Sequence, residues 1–228
     1  MAGIVSAPDG WQEMVAEAIA SATRPIVVDE RFAPRATSVR DERGQRPRYD
    51  RADFPPARAA ATLLLLYPRD GADGPELVTP LTVRHGDLRA HAGEVSLPGG
   101  AVDPDDEDRA ATALREAREE VDLDPAAVTV AGSLDPIWIP VSNFELLPVV
   151  ATATDAPDLS PHEQEVAAIV ELPIRRLFEP DAIGVETFDV REWRLEAAAY
   201  RHADLRVWGA TARTLAMLAA VLAEAGIA

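Results

Sequence analysis

The segment Arg109–Val121 (RAATALREAREEV) constrains this chain more than any other. At helical spacing Ala110, Ala113, Leu114, Ala117 and Val121 fall on one face, a stripe that demands burial against a neighbour. Glu116, Glu119 and Glu120 fall on a different face, at i, i+3 and i+4. Like charges at that spacing repel by roughly 0.2–0.5 kcal/mol per pair. Such a helix needs an apolar layer under its stripe and a reason to keep three carboxylates together. One reason is a hard divalent cation, which takes carboxylate oxygens together with the phosphate oxygens of a substrate. The other reading of the same run is a solvated acidic face.

What precedes the helix favours the cation. Pro98-Gly99-Gly100 leads into the acidic loop DPDDED, which delivers the chain to Arg109. Glycine permits positive φ and close approach of the backbone to a ligand, so Gly99 and Gly100 are candidate substrate-binding residues. A glycine turn, an acidic loop and a carboxylate-bearing helix in series form a constellation rather than a single short motif.

The remaining elements are consistent with one mixed α/β core. Ala60–Tyr67 (AATLLLLY) reads as a buried strand, PRDGADGP as a turn, and Glu76–Arg84 as its hairpin partner. Val128–Leu134, Phe144–Thr154, Glu165–Glu171, Glu186–Leu195 and Arg206–Trp208 are further strand candidates, with a helical turn at Ile174–Phe178. Asp9–Ser21 reads as a short amphipathic helix with Asp9 as its N-cap, and Thr211–Ala225 as a helix stopped by Gly226. Residues 30–57, rich in Arg, Asp and Pro, read as an extended or partly disordered arm. The expected division is residues 1–57 as an N-terminal helix and arm, and residues 58–228 as the functional domain. A mixed sheet sandwiched by helices follows.

Composition removes several function classes. A chain of 228 residues can bury one α/β core. The net charge of −17 argues against a general nucleic-acid binder. With no cysteine, disulfides, thiolate catalysis and Cys-based zinc sites are excluded. All 22 basic residues are arginine, so any side-chain cation that grips phosphate is the bidentate Arg fork. The N-terminal residues lack a basic region followed by an apolar core, and the apolar run Ala59–Tyr67 is too short to span a bilayer. The expectation is a cytoplasmic protein with no membrane partner.

The segment Gly93–Leu123 resembles the Nudix box: Gly, five residues, Glu, seven residues, then Arg-Glu, an apolar residue, any residue, Glu-Glu, any residue, Gly and an apolar residue. Arg115, Glu116, Ala117, Glu119, Glu120 and Leu123 match its helical half, and Glu107 stands where the first Glu is expected. Two positions depart: Asp122 replaces the Gly before Leu123, and Gly100 lies one residue too far from Glu107. Upstream, the run from Leu81 to Gly100 is similar to the signature LLTxRSxxLRxHxGEVxFPGGxxDxxD of the coenzyme A pyrophosphatase branch, with His85 for the Ser and Leu97 for the Phe. Glu165-Val166, Glu171-Leu-Pro173 and Trp208-Gly-Ala-Thr211 extend the resemblance to about residues 60–222.

The resemblance implies the Nudix α/β/α sandwich with a mixed central sheet. It implies a hydrolase that cleaves the diphosphate of coenzyme A or acyl-CoA to 3′-phosphoadenosine 5′-phosphate and (acyl-)4′-phosphopantetheine. Glu116, Glu119 and Glu120 would hold Mg²⁺ or Mn²⁺, and Glu165 joins them as a candidate catalytic carboxylate. Arg84 and Arg89 would bind substrate phosphate; their alternative is surface ion pairing, worth little. Arg115 is expected to pair with Glu107 and fix the loop. Glu94 is either a metal ligand through water or a loop cap, and His91 either catalytic or structural. Trp138 is expected in the core rather than on a base. The expected partner is a small-molecule substrate, with a homodimer left open. Two other readings stand beside this one: action on another nucleoside diphosphate derivative such as ADP-ribose or NADH, and a non-catalytic binding module with a decayed box.

Overall fold

The computed structural model describes residues 4–36, 51–71, 74–85, 94–190 and 193–228. In chain order these form α1 (Trp11–Ser21), β1 (Arg35–Ala36), β2 (Arg58–Gly71), β3 (Gly74–Arg84), β4 (Val95–Ser96), β5 (Gly99–Ala101) and α2 (Arg109–Val121). There follow β6 (Thr129–Ser133), β7 (Ile137–Ile139), β8 (Phe144–Thr152), β9 (Val166–Pro173), β10 (Ile183–Val190), β11 (Trp193–His202), β12 (Leu205–Val207) and α3 (Gly209–Glu224).

Successive strand residues point to opposite faces, and β2 turns that rule into two cores. Ala61, Leu63, Leu65 and Tyr67 pack against Ala113, Ala117 and Val121 of α2. Leu64 and Leu66 share the opposite core with Trp11, Val15 and Ile19 of α1 and Leu215, Leu218 and Leu222 of α3. The uninterrupted apolar run is thus a strand buried on both faces, and the layers are helix, sheet, helix. Leu63 to Leu66 are each 0–1% exposed, and burying each contributes about 1.5–3 kcal/mol. The sheet is mixed: β2 runs parallel to β8 from Arg58↔Phe144 to Leu66↔Thr152, and antiparallel to β3 and β5. β9 pairs with β3, and β6 and β7 pair with β8. A second sheet has β11 between β1 and β10, with β12 also on β11. No helix among the described residues is long and apolar enough to cross a membrane.

Four details differ from the sequence reading. The hairpin ladder continues past Tyr67 through Arg69↔Glu76 and Gly71↔Gly74, so part of the expected turn is strand. The single late strand Glu186–Leu195 is two strands, β10 and β11, folded back with Val190 opposite Trp193; no Gly or Pro marks that reversal. The N-cap of α1 is Gly10, at φ 76°, not Asp9. The arm is packed at both described ends. Phe32 is 4% exposed and stacks on Tyr200 with ring centroids 5.2 Å apart, β1 pairs with β11, and Arg51 bridges to Glu145. A single apolar anchor, Phe32, is enough to seat this segment without any periodic pattern.

Candidate active site

The site begins where β5 is pressed between β2 and α2. Leu63 N–H and Thr62 Oγ1 both donate to the Pro98 carbonyl at 2.8 Å, drawing the Pro-Gly-Gly segment onto β2. A Cβ on Gly99 would overlap the carbonyl oxygen of Ala61 and the Cα of Thr62. A Cβ on Gly100 would lie 2.5 Å from the carboxylate atoms of Glu116. Both residues are therefore glycine because backbone and carboxylate approach too closely for a side chain. Neither has a positive φ, so close approach, and not turn geometry, is what the two positions require.

The acidic loop is locked to α2 by Arg115. Its Nε donates to Asp106 Oδ1 at 2.9 Å and its Nη2 to Asp106 Oδ2 at 3.1 Å and to the Ala101 carbonyl at 3.0 Å. Its Nη1 donates to Glu116 at 2.9 Å and to Glu119 at 3.1 Å. Asp106 also accepts from Thr112 Oγ1 at 2.8 Å and from Asp103 N–H at 2.9 Å. The Arg115 fork, with these donors, holds the Asp106 carboxyl well below the usual carboxylate range and the guanidinium above its own. The partner expected from sequence was Glu107; the structure corrects it to Asp106. Counted from Gly100, Asp106 stands six residues on, the box spacing, so the extra loop residue falls between this acid and Arg115. Asp108 caps α2 by accepting from Ala111 N–H at 2.8 Å.

Asp122 ends α2 at φ 56°, and its N–H reaches the Ala117 and Arg118 carbonyls. The departure from Gly therefore keeps a left-handed helix C-cap, a conformation Asp tolerates better than most residues. The departure thus leaves the end of α2 intact.

Three carboxylates are brought together. Glu120 is 6% exposed, accepts from Gly99 N–H at 3.2 Å and lies 3.8 Å from Arg84 Nη1. Burial pushes its pKa up to about 7, opposed by Gly99 and Arg84 and reinforced by the charges of Glu116 and Glu165. Burial likewise raises Glu116, against the Arg115 fork. Glu165 belongs to the segment docked on the end of α2, where His162 N–H donates to the Glu120 carbonyl at 2.9 Å and Glu165 N–H to the His162 carbonyl at 3.0 Å. Glu119 stays at the rim, its side chain 59% exposed, held by Arg115.

Among the described residues no group of three or more His, Asp or Glu is arranged to hold a metal ion; Arg115 draws Glu116 and Glu119 to itself. The donor set nonetheless fits a hard divalent cation. Glu120 is a hard oxygen donor that is buried, feels the charges of Glu116 and Glu165, and has the Arg84 guanidinium at 3.8 Å as its cationic neighbour.

Above β5 opens a cavity of about 1050 Å³, which reaches Arg84, Glu94, Gly99 and Gly100 on one side and the start of α3 on another. Its apolar wall includes Phe32, Pro34, Ile139, Phe144 and Leu195. Trp138 lines it too, half-buried, with Nε1 donating to Asn143 Oδ1 at 3.1 Å and its ring edge-on to Phe54. The expectation that Trp138 is core is thereby corrected: its polar edge and the cavity keep it partly open. Arg84 also stands at the cavity with Nε buried and unpartnered. Arg89 and His91 lie outside the described residues. Phe32, Arg35 and the α3 start were missed as cavity residues, because they come from distant segments that no local pattern connects.

Residues 57–199 match the NUDIX domain family, and the chain belongs to it. Nudix hydrolase 15, mitochondrial, of Arabidopsis thaliana is 36% identical over 180 residues, covering 75% of this chain and 60% of its own length. The chain thus spans less than two thirds of that relative's length. A protein named uncharacterized Nudix hydrolase NudL, from Cronobacter sakazakii, is 40% identical over 174 residues, covering 73% of this chain and 84% of its own. A solved Nudix hydrolase from M. smegmatis, RenU, superposes with a TM-score of 0.44 at 24% identity, over 60% of this chain and 80% of that one.

Proposed function

We propose that this protein hydrolyses the diphosphate bridge of a nucleotide-like substrate, and that coenzyme A or an acyl-CoA is the preferred one. The observation that carries the reading is the buried Glu120, tied to Gly99 and Arg84, two residues that line a cavity of about 1050 Å³, with the charges of Glu116 and Glu165 acting on it. Pockets for whole small-molecule ligands run from about 300 to 1000 Å³, so a substrate with both a nucleotide and a long arm is of the right scale. Glu116, Glu119 and Glu120 would hold Mg²⁺ or Mn²⁺, which supplies charge neutralisation for the diphosphate and a lowered pKa for water.

The protein's own groups do the rest. Arg84, half-free of Glu120 at 3.8 Å, turns its fork to phosphate oxygens. Gly99 and Gly100 let the diphosphate approach the backbone. Glu165 carries no ion pair among the described residues, so its lone pairs are available to take the proton as water attacks phosphorus. The new P–O bond forms as the bridging P–O bond breaks, and the departing phosphate keeps the electron pair. Arg115 and Asp106 hold the loop and helix in register without meeting substrate. Arg89, in the branch signature, is a further phosphate-binding candidate.

The test is a side-by-side kcat/KM for CoA, dephospho-CoA, ADP-ribose and NADH with Mg²⁺ and with Mn²⁺. CoA is expected to lead by roughly ten- to hundredfold, the worth of one charge-assisted phosphate contact realised in the transition state. If ADP-ribose or NADH leads with both metals, the CoA assignment fails and the diphosphatase reading stands. If none is cleaved, the catalytic reading fails.

A further inference from the structure

At the start of α3, on the cavity, the structure has donors with nothing to donate to. The N-cap residue Trp208 offers no side-chain cap bond. Among the described residues, the amides of Gly209, Ala210 and Thr211 meet no acceptor; the first helical bond is Ala212 N–H to the Trp208 carbonyl, at 3.4 Å. Free amides at the positive end of a helix dipole are an anion-binding arrangement, but they are not the only such groups here. Arg213 and Thr214 line the same cavity. The Arg213 Nε is buried with no hydrogen-bond partner, and so is the Thr214 Oγ1, on a residue that is 0% exposed. Leaving a buried polar group unsatisfied is costly, so two such atoms beside an uncapped helix are unfavourable unless a ligand meets them.

Charge sharpens the point. In a chain of net charge −17, carboxylates are abundant, and Arg24, Arg69, Arg109, Arg175 and Arg201 each take one. Arg213 takes none among the described residues. Gly209 begins the helix at φ 65°, and a Cβ there would meet nothing within 4 Å. The glycine therefore serves the backbone conformation that presents the amides and leaves their approach open.

We propose that the first turn of α3, with Arg213 and Thr214, is a second anion subsite of this cavity, one that takes a phosphomonoester carried by the same substrate whose diphosphate meets Arg84. The assignment rests on the diphosphatase reading for the identity of the ligand, and on the unpartnered donors alone for the binding of an anion. It supplies what the Arg84 side lacks, a means of distinguishing substrates by a phosphate remote from the scissile bond.

The experiment is calorimetric titration of the full chain with 3′-phosphoadenosine 5′-phosphate and with AMP, in wild type, Arg213→Gln, Arg213→Lys and Thr214→Val. Neither ligand requires turnover. Wild type is expected to bind the bisphosphate at least tenfold more tightly than AMP. Arg213→Gln should erase that preference while changing the Kd of AMP less than threefold. Arg213→Lys should keep part of it, and Thr214→Val should reduce it two- to threefold. Arg213 is half-exposed, so its variants should fold, as a thermal melt will report. Equal weakening of both ligands by Arg213→Gln, no effect on either, or no wild-type preference for the bisphosphate would each overturn the subsite. If the preference behaves as expected but no diphosphate is cleaved, the catalytic reading fails and the subsite stands. If CoA is cleaved but the preference is absent, the subsite alone fails.

Discussion

Helices α2 and α3 lie on opposite faces of the same sheet and bring opposite charge problems to the region around β5. α2 contributes carboxylates in excess of the cations near them: Arg115 serves Asp106, Glu116 and Glu119 together, and Glu120 has Arg84 at 3.8 Å. α3 contributes a guanidinium nitrogen, a hydroxyl and three amides with no hydrogen-bond acceptor among the described residues. Buried charge and buried donors are both costly when unmatched. On the proposed reading these two sides are matched by bound ligand: positive charge at α2, negative charge at Arg84 and α3. A metal-bound polyphosphate has that pattern.

The largest expected effect breaks the α2 half. Glu120→Gln keeps the shape of a buried side chain that accepts from Gly99 and removes its charge. It should lower kcat by about 10³-fold or more, since on the proposed reading Glu120 would be one of the carboxylates that hold the cation. Glu119→Gln, at the exposed rim, should cost less, of the order of tenfold to a hundredfold. Steady-state kcat at saturating Mg²⁺ measures both. A loss under tenfold for Glu120→Gln would remove this residue from the metal site, and a larger loss for Glu119→Gln would show that the rim carboxylate swings inward.

The contrast between what sequence revealed and what it hid follows the same two helices. α2 was legible because its chemistry and its packing are both periodic: the stripe from Ala110 to Val121 meets β2 as the spacing requires, and Glu116 and Glu120 leave on another face. The run Ala60–Tyr67 was legible because a strand buried on both sides needs no alternation. Arg213 was silent, since a single arginine on an apolar helix looks like any solvent-exposed position until the cavity beside it is seen. Phe32 was silent for a similar reason, one aromatic in a stretch of Arg and Pro. Asp106 was overlooked because Glu107 next to it matched the expected residue type, and counting from the wrong end of the loop favoured it. The carboxylate face was assigned to three box glutamates, while folding groups Glu116 and Glu120 with Glu165 and leaves Glu119 outside.

A middle-sized effect concerns stability without metal. The pKa of Glu120 rises from 4.5 to about 7 on folding, so the folded state favours the protonated acid. The associated stability is fully present below pH about 4.5 and is lost as pH rises through about 7, where the ionised group must be carried in a buried site. The loss is of the order of 3 kcal/mol. Metal-free Glu120→Gln should therefore melt several degrees above metal-free wild type at pH 8 and close to it at pH 4.5. Added Mg²⁺ or Mn²⁺ should raise the wild-type Tm at pH 8 and close most of that gap. Identical melting of the two proteins across this range would show that Glu120 is solvated or already neutralised, and the charge deficit at α2 would disappear.

The smallest effect tests whether Asp122 is conformational. At φ 56° a side chain is strained by its Cβ, and Asp carries that strain less than most residues but more than Gly. Its negative charge also sits at the negative end of the α2 dipole, where it is mildly unfavourable. Against these, glycine loses more backbone entropy on folding than any other residue. Relief of strain and of charge together outweigh that cost, so Asp122→Gly should stabilise by about 0.5–1 kcal/mol, near the size seen when backbone strain at such a position is removed. In a chain of 228 residues this is a rise in Tm of about 1–4 °C. kcat/KM should stay within twofold, because the cap touches neither Glu120 nor the cavity. Asp122→Ala separates the two contributions: it removes the charge but keeps the Cβ, and should be neutral or slightly destabilising. If Asp122→Gly instead raises kcat/KM tenfold, the position shapes the site after all, and the aspartate marks a partly lost activity and not an alternative helix cap.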